Sequence, residues 1–200
     1  MAGRAAKAAI TITGDPAADQ LLVDDPMALL IGMLLDQQIS MELAFTGPFR
    51  LRERLGGSLD PRLIADMDPE TFTDLCRQKP ALHRFPASMA GRIQDLARHI
   101  VDRYDGDAGR VWKRVRSAER QWSNIRGLPG YGDEKAKILM AILAKRLGRT
   151  PAGWEALAAP FDDDEPRSVA DVGSADDLVR VRAWKKAQKA ARKDKQGRAL

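Results

Sequence analysis

The chain has 200 residues, the length of one domain or of one domain with extensions, and 44% of them are hydrophobic, enough for a sizeable core. Lysine and arginine number 33 against 28 acids, a net charge of +5, and a basic soluble chain points to an anionic partner, nucleic acid first. The single cysteine, Cys76, excludes an internal disulfide framework and a cysteine-built metal or iron–sulfur site, and fits a reducing cytoplasm. The N-terminal stretch MAGRAAKAAITITG holds no apolar h-region of a signal peptide. The longest apolar run, Met27 to Leu35, is far shorter than the ~20 residues of a membrane span. The expectation is a cytoplasmic protein with no membrane partner.

Along the chain, only Ile10 to Thr13 looks extended. Asp-Pro then recurs at Asp15-Pro16, Asp25-Pro26, Asp60-Pro61 and Asp68-Pro69. Asp at an N-cap accepts from a free backbone N–H, and Pro at N1 lacks a donor that would go unpaired anyway, so these read as four helix starts. The helix from Pro26 to about Gln37 is apolar all round and belongs at the centre. Ser40 can cap the next helix, in which Leu43, Gly47, Leu51 and Leu55 recur every four residues; Pro48 is expected to kink it. Ser88 to Tyr104 is amphipathic, with Ile93, Leu96, Ala97, Ile100, Val101 and Tyr104 on one stripe. Ser117 can cap a short helix ending near Ile125, and another runs from Asp133 to about Leu147. Past Gly148 the composition turns acidic, with Asp162 to Glu165 at the centre. From Arg180 it turns basic, and Ser174 with Asp177 looks like a cap for a last helix. That helix can dock through Leu178, Val181 and Trp184; its second half has no apolar face and is expected to fray or to touch a polyanion. The fold class is all-α.

The most specific stretch is GLPGYGDEKA, residues 127–136. Helix, LPGYG, helix is the pattern of a helix–hairpin–helix motif. Gly130 and Gly132 permit positive φ and leave no side chains at the tip. Successive N–H groups beside a helix N-terminus then make an anion site suited to a DNA phosphate, which binds backbone and reads no sequence. Leu128 and Pro129 frame the glycines; Leu128 and Tyr131 belong with them to the candidate DNA contact, and Lys135 and Lys137 stand nearby.

Two further segments precede it in order: LLDQQIS at residues 34–40, and FPASMAGRIQDLARHI from Phe85 to Ile100. This order resembles the helix–hairpin–helix (HhH-GPD) superfamily of base-excision DNA glycosylases, of the endonuclease III and 3-methyladenine glycosylase II kind. Those proteins carry an L-L-S-x-Q-type segment, a Lys-Ala-x-x-Ile-x-x-Leu-Ala helix, then L-P-G-V-G. Here Met89-Ala90 stands where Lys-Ala is usual. The likeness is greatest to a small bacterial branch without the iron–sulfur cluster. The resemblance covers roughly residues 25–148. It implies a two-lobed helical core over 25–148, with the hairpin at about 118–147. Residues 1–24 are then an N-terminal extension, 149–173 an acidic loop and 174–200 a basic C-terminal helix and tail.

The resemblance implies that Gln38 fills the hole left when a base is flipped out of the duplex, with Gln37 beside it. Flipping is required because the glycosidic bond is hidden in the stack. The alternative is that both glutamines simply end a helix. The family's catalytic Asp, about twenty residues past the second hairpin glycine, would fall on Ala152, where there is no acid. Asp171, whose neighbours look more like the family pattern, is preferred, with Glu155 as the alternative; both could also be surface or capping acids. The strand-cleaving members carry a Lys where Glu134 stands, so β-lyase chemistry is not expected. His83 is expected at the surface, the four tryptophans in the core, and Asp162 to Glu165 in a solvated loop. The function expected is a monomeric, nucleoid-associated, monofunctional DNA N-glycosylase acting on double-stranded DNA with damaged bases, needing no metal or cofactor. Its rivals are a catalytically silent DNA-structure binder and a protein-interaction module using the basic tail.

Overall fold

All four Asp-Pro pairs start helices. In the computed structural model, which describes residues 9–199, the side chains of Asp15, Asp25, Asp60 and Asp68 accept from first-turn N–H groups, each followed by Pro at N1. A cap of this kind stabilises by roughly 1 kcal/mol. The helices so started are α1 (Pro16–Asp24), α2 (Pro26–Leu35), α4 (Pro61–Asp66) and α5 (Pro69–Arg77), with α3 (Met41–Arg54) capped by Ser40. Then follow α6 (Pro86–Tyr104), a 3-10 turn (Ala108–Val111), α7 (Ala118–Arg126), α8 (Asp133–Lys145), α9 (Trp154–Ala158), a second 3-10 turn (Val169–Asp171) and α10 (Ala175–Ala190). The described residues form no strand; Ile10 to Thr13 belongs to no regular element, with Ile10 and Ile12 buried. Of the N-terminal stretch expected to hold no signal peptide, residues 1–8 lie outside the described residues.

The uniformly apolar α2 is the axle, with Leu29, Leu30, Ile31, Leu34 and Leu35 fully buried. It packs against α1, α3 and α6, while α4 and α5 lie on the amphipathic face of α6. The second group is α7, α8 and α9, with the second 3-10 turn seated on α8 and touching α10. The two groups meet where Tyr131 Oη, on the α7–α8 turn, donates to Leu30 O at 2.7 Å. The described residues contain no helix long and apolar enough to cross a membrane.

Three expectations change. First, α2 ends at Leu35, two residues early, because Asp36 leaves the helical region at φ −69°, ψ 69°. Second, α3 stays helical through Pro48. Third, α10 does not fray at Trp184 but runs to Ala190, and the chain beyond it turns back so that Lys195 reaches Glu134 at 3.2 Å. The stretch 149–173 is also more than a loop: Ala158, Phe161, Val169, Ala170 and Val172 join the core. Asp163 is held by Arg167 at 2.7 Å, and its carbonyl accepts from Lys145 Nζ, so this acid is not merely solvated.

Candidate nucleic-acid interface

The α7–α8 turn is set by its own residues. Tyr131 N donates to Leu128 O at 3.1 Å, closing LPGY into a tight turn. Gly130 holds φ +79°, and a Cβ there would sit 2.6 Å from Leu34 Cδ1, so the turn requires glycine twice over. Gly132 differs from the expectation. Its φ is −75°, open to any residue, and a Cβ there would meet nothing within 4 Å. Nothing inside the fold therefore asks for glycine at 132. Gly132 is the N-cap of α8 with no side-chain capping bond, so the first-turn N–H groups of α8 lack an internal cap.

The side chains around the turn mostly face inward. Leu128 and Tyr131 are 3% and 2% exposed, so they offer an outside ligand little but backbone. Lys135 Nζ donates to the carbonyls of Met33 and, at 3.3 Å, Leu34, and caps the C-terminal end of α2. Burial brings its pKa down to about 8, although Asp36 pulls the other way. Lys137 Nζ donates to Ala159 O at 2.7 Å, which braces the end of α9. Of the acids, Asp133 pairs with Arg126 at 2.5 Å and Glu134 with Lys195. The charge of the first turn of α8 is thereby largely neutralised.

The turn after α2 is shaped from outside. His83 is buried, not at the surface as its sequence suggested. Its Nδ1 accepts from Phe85 N at 3.1 Å, so the proton sits on Nε2, which donates to Gln37 O at 2.7 Å. Gln37 Nε2 donates to Leu34 O at 2.7 Å, and its Oε1 accepts from Arg92 at 3.0 Å. Lys135 holds the same turn from the hairpin side. With these attachments Gln38 is exposed at φ 56°, a left-handed backbone that costs a residue of its type on the order of 1 kcal/mol or more.

Gln38 lines a cavity of about 360 Å3, together with Asp36, Met41, Glu42, Arg182, Lys185 and Lys195. Glu42 is paired to Arg182, and Lys185 Nζ rests on Met41 Sδ at 3.1 Å. Burial lowers the pKa of Lys185, with Asp36 again opposing. Among the described residues, Asp36 is the carboxylate of this cavity that forms no ion pair. Asp171 is not in its lining. It lies within the second 3-10 turn, its side chain 8% exposed, with Oδ1 on Lys145 at 2.7 Å and Oδ2 accepting from Arg167 N and Ser168 N. Glu155 is exposed on α9, also outside the cavity lining.

One residue that sequence reasoning passed over is Phe85. It is 46% exposed, its ring centre is 5.9 Å from that of His83, and Arg84 lies over it at 4.7 Å. It therefore neighbours the Gln37–Gln38 turn. The signal was present: α6 starts on Phe-Pro, with no side-chain capping bond, where four other helices start on Asp-Pro. The tryptophans do not compete for this role; Trp112 is buried, Trp122 and Trp154 pack on the core, and Trp184 stacks with Arg167. No group of three or more His, Cys, Asp or Glu among the described residues is arranged to hold a metal ion. Burial pushes the Cys76 thiol up to about 12, which makes it unreactive.

The family model described as "HhH-GPD superfamily base excision DNA repair protein" matches residues 31–198. A solved structure described as "Structure of a Trapped Endonuclease III-DNA Covalent Intermediate: Estranged-Adenine Complex" superimposes with a TM-score of 0.44 at 20% identity. The match covers 78% of this chain and 70% of that one. No curated protein matches the chain.

Proposed function

Because the chain belongs to the HhH-GPD superfamily of base excision DNA repair proteins, we propose that it grips duplex DNA through the backbone of the hairpin turn and the Gln38 turn, and releases a damaged base by hydrolysis of its glycosidic bond. The observation that carries this reading is Gln38. An exposed glutamine in a costly left-handed conformation, fastened through Gln37 by His83 and Arg92 and lining a cavity, is a structure built to present one side chain. A Gln amide entering the stack can pair with the base left behind when its partner is extrahelical, and the flipped nucleotide enters the adjoining cavity. Phe85, beside it, can stack on an exposed base face. At the hairpin, the open N–H groups at Gly132 receive a phosphate, and the missing Cβ lets the backbone approach.

Base release needs a carboxylate that stabilises the positive charge developing on the sugar and helps to orient water. Geometry favours Asp36, which lines the cavity, over Asp171, whose oxygens are already bonded, and over the outlying Glu155. The test is release of free base from duplexes carrying alkylated, oxidised or deaminated bases. Asp36→Asn should abolish release with DNA affinity retained, and Glu155→Gln should leave it unchanged. Loss in Asp171→Asn with stability intact would return the role to Asp171. Since Glu134 replaces the lysine of the strand-cleaving members, the product should be an abasic site that breaks only on alkali treatment.

The silent-binder reading draws on a specific observation. The C-terminal segment lies against the cavity, with Arg182 on Glu42 and Lys195 on Glu134. No release from any base in that panel, with binding to distorted duplexes retained, would select it.

A further inference from the structure

A second basic feature lies at the far end of α7 from the hairpin. There a groove of about 580 Å3 is lined by Arg110, Arg114, Arg116 and Arg120 together with Tyr104 and Asn124, and no carboxylate lines it. Arg110 has only long contacts, 3.7 Å to Asp105 and 3.6 Å to Asp107. Arg114, Arg116 and Arg120 are exposed and form no ion pair among the described residues. The cavity beside Gln38 is different: there Arg182 is balanced by Glu42 and Lys195 by Glu134. Arg114, Arg116 and Arg120, gathered without such counter-charges among the described residues, repel one another, a cost that a polyanion offsets.

The groove and the hairpin share one helix. Arg120, Asn124 and Gly127 follow at spacings of four and three, so they lie along one side of α7, leading from the groove to the hairpin turn. Arg120 and Gly127 are exposed and Asn124 partly so. The nine residues of α7 span about 14 Å, close to four base-pair steps of about 3.4 Å. Guanidinium forks suit phosphate oxygens, and a contact of this kind is blind to sequence. Resting on the DNA-binding reading above, we infer that the arginine groove is a second phosphate contact, which holds the backbone of the same DNA duplex about four base-pair steps from the hairpin.

The experiment is a titration of the full-length protein against a labelled duplex of ~20 base pairs at ~50 and ~200 mM salt. Wild type is compared with Arg114→Gln/Arg116→Gln and with Gly132→Ala. Each lost phosphate contact lowers the salt slope by about 0.9, so across this fourfold rise in salt the double variant should lose about twelve-fold less affinity than wild type. Its thermal midpoint should not move, because neither arginine has an internal partner. Gly132→Ala removes no charge and should weaken binding with the slope retained. A double variant that keeps the wild-type slope overturns the groove contact and leaves the hairpin reading standing. A wild type with no measurable affinity for the duplex overturns both. Loss of slope on a single strand of the same length, but not on the duplex, overturns the choice of duplex as the occupant.

Discussion

The two turns that meet at the C-terminal end of α2 are built on opposite principles. The hairpin between α7 and α8 carries its shape in its own residues: Leu-Pro-Gly-Tyr closes by a local hydrogen bond, and Gly130 supplies the positive φ. The turn after α2 has no glycine. Its left-handed residue is Gln38, and its form is imposed by His83, Arg92 and Lys135, which lie 46, 55 and about 100 positions away in the chain. A locally coded turn survives changes in its surroundings. A turn held from outside depends on each support, and it can hold a functional side chain in a conformation the local sequence does not favour.

The sharpest way to break this contrast is to remove a remote support. His83→Ala leaves the Gln37 carbonyl and the Phe85 N–H without their partner in a part-buried site and removes a buried ring, and should cost about 2–3 kcal/mol in urea unfolding. It should also lower discrimination for abasic duplexes by the same mechanism as loss of Gln38. Next in size, Gly130→Ala should cost about 2 kcal/mol, from the strained φ and the contact with Leu34. Gly132→Ala should change stability by less than about 0.5 kcal/mol yet weaken DNA binding, since only an outside ligand needs that space. A Gly132 variant that binds duplex as well as wild type would take the hairpin tip out of the interface.

Lys135 gives a smaller, pH-dependent effect. Its folded pKa, about 8, lies below the ordinary lysine value, so above pH 8 the unfolded chain holds a proton that the folded chain has released. Stability should therefore rise with pH across the window from about 8 to 10.5, by an amount on the order of a few kcal/mol at most. The rise should be smaller in Lys135→Met, the remainder coming from Lys185, whose pKa burial also lowers, as read by chemical unfolding at several pH values.

The same contrast explains what was legible in the sequence. The Asp-Pro starts, the buried α2 and the hairpin are local signals, and each appears in the structure within about two residues. The inward turn of Lys135 and Lys137, the burial of His83 and the bonding of Asp171 depend on residues far away in the chain. None of them has a local pattern. A lysine after LPGYG reads as a free cation until α2 is seen to end beneath it. Asp171 reads as a helix-start carboxylate until Lys145, Arg167 and Ser168 are seen to use its oxygens. Asp36 could have been noticed, since it adjoins Gln37 and Gln38, but only the cavity gives it a function to consider.

The central claim is that the turn after α2 exists to place Gln38 in the gap left by an extrahelical base. The direct measurement is the affinity of Gln38→Ala for two duplexes identical except for one abasic site. The account predicts a selective loss on the abasic duplex of about five-fold, the worth of one hydrogen bond, with little change on the intact one. An equal loss on both duplexes would contradict it and leave Gln38 as an ordinary surface contact.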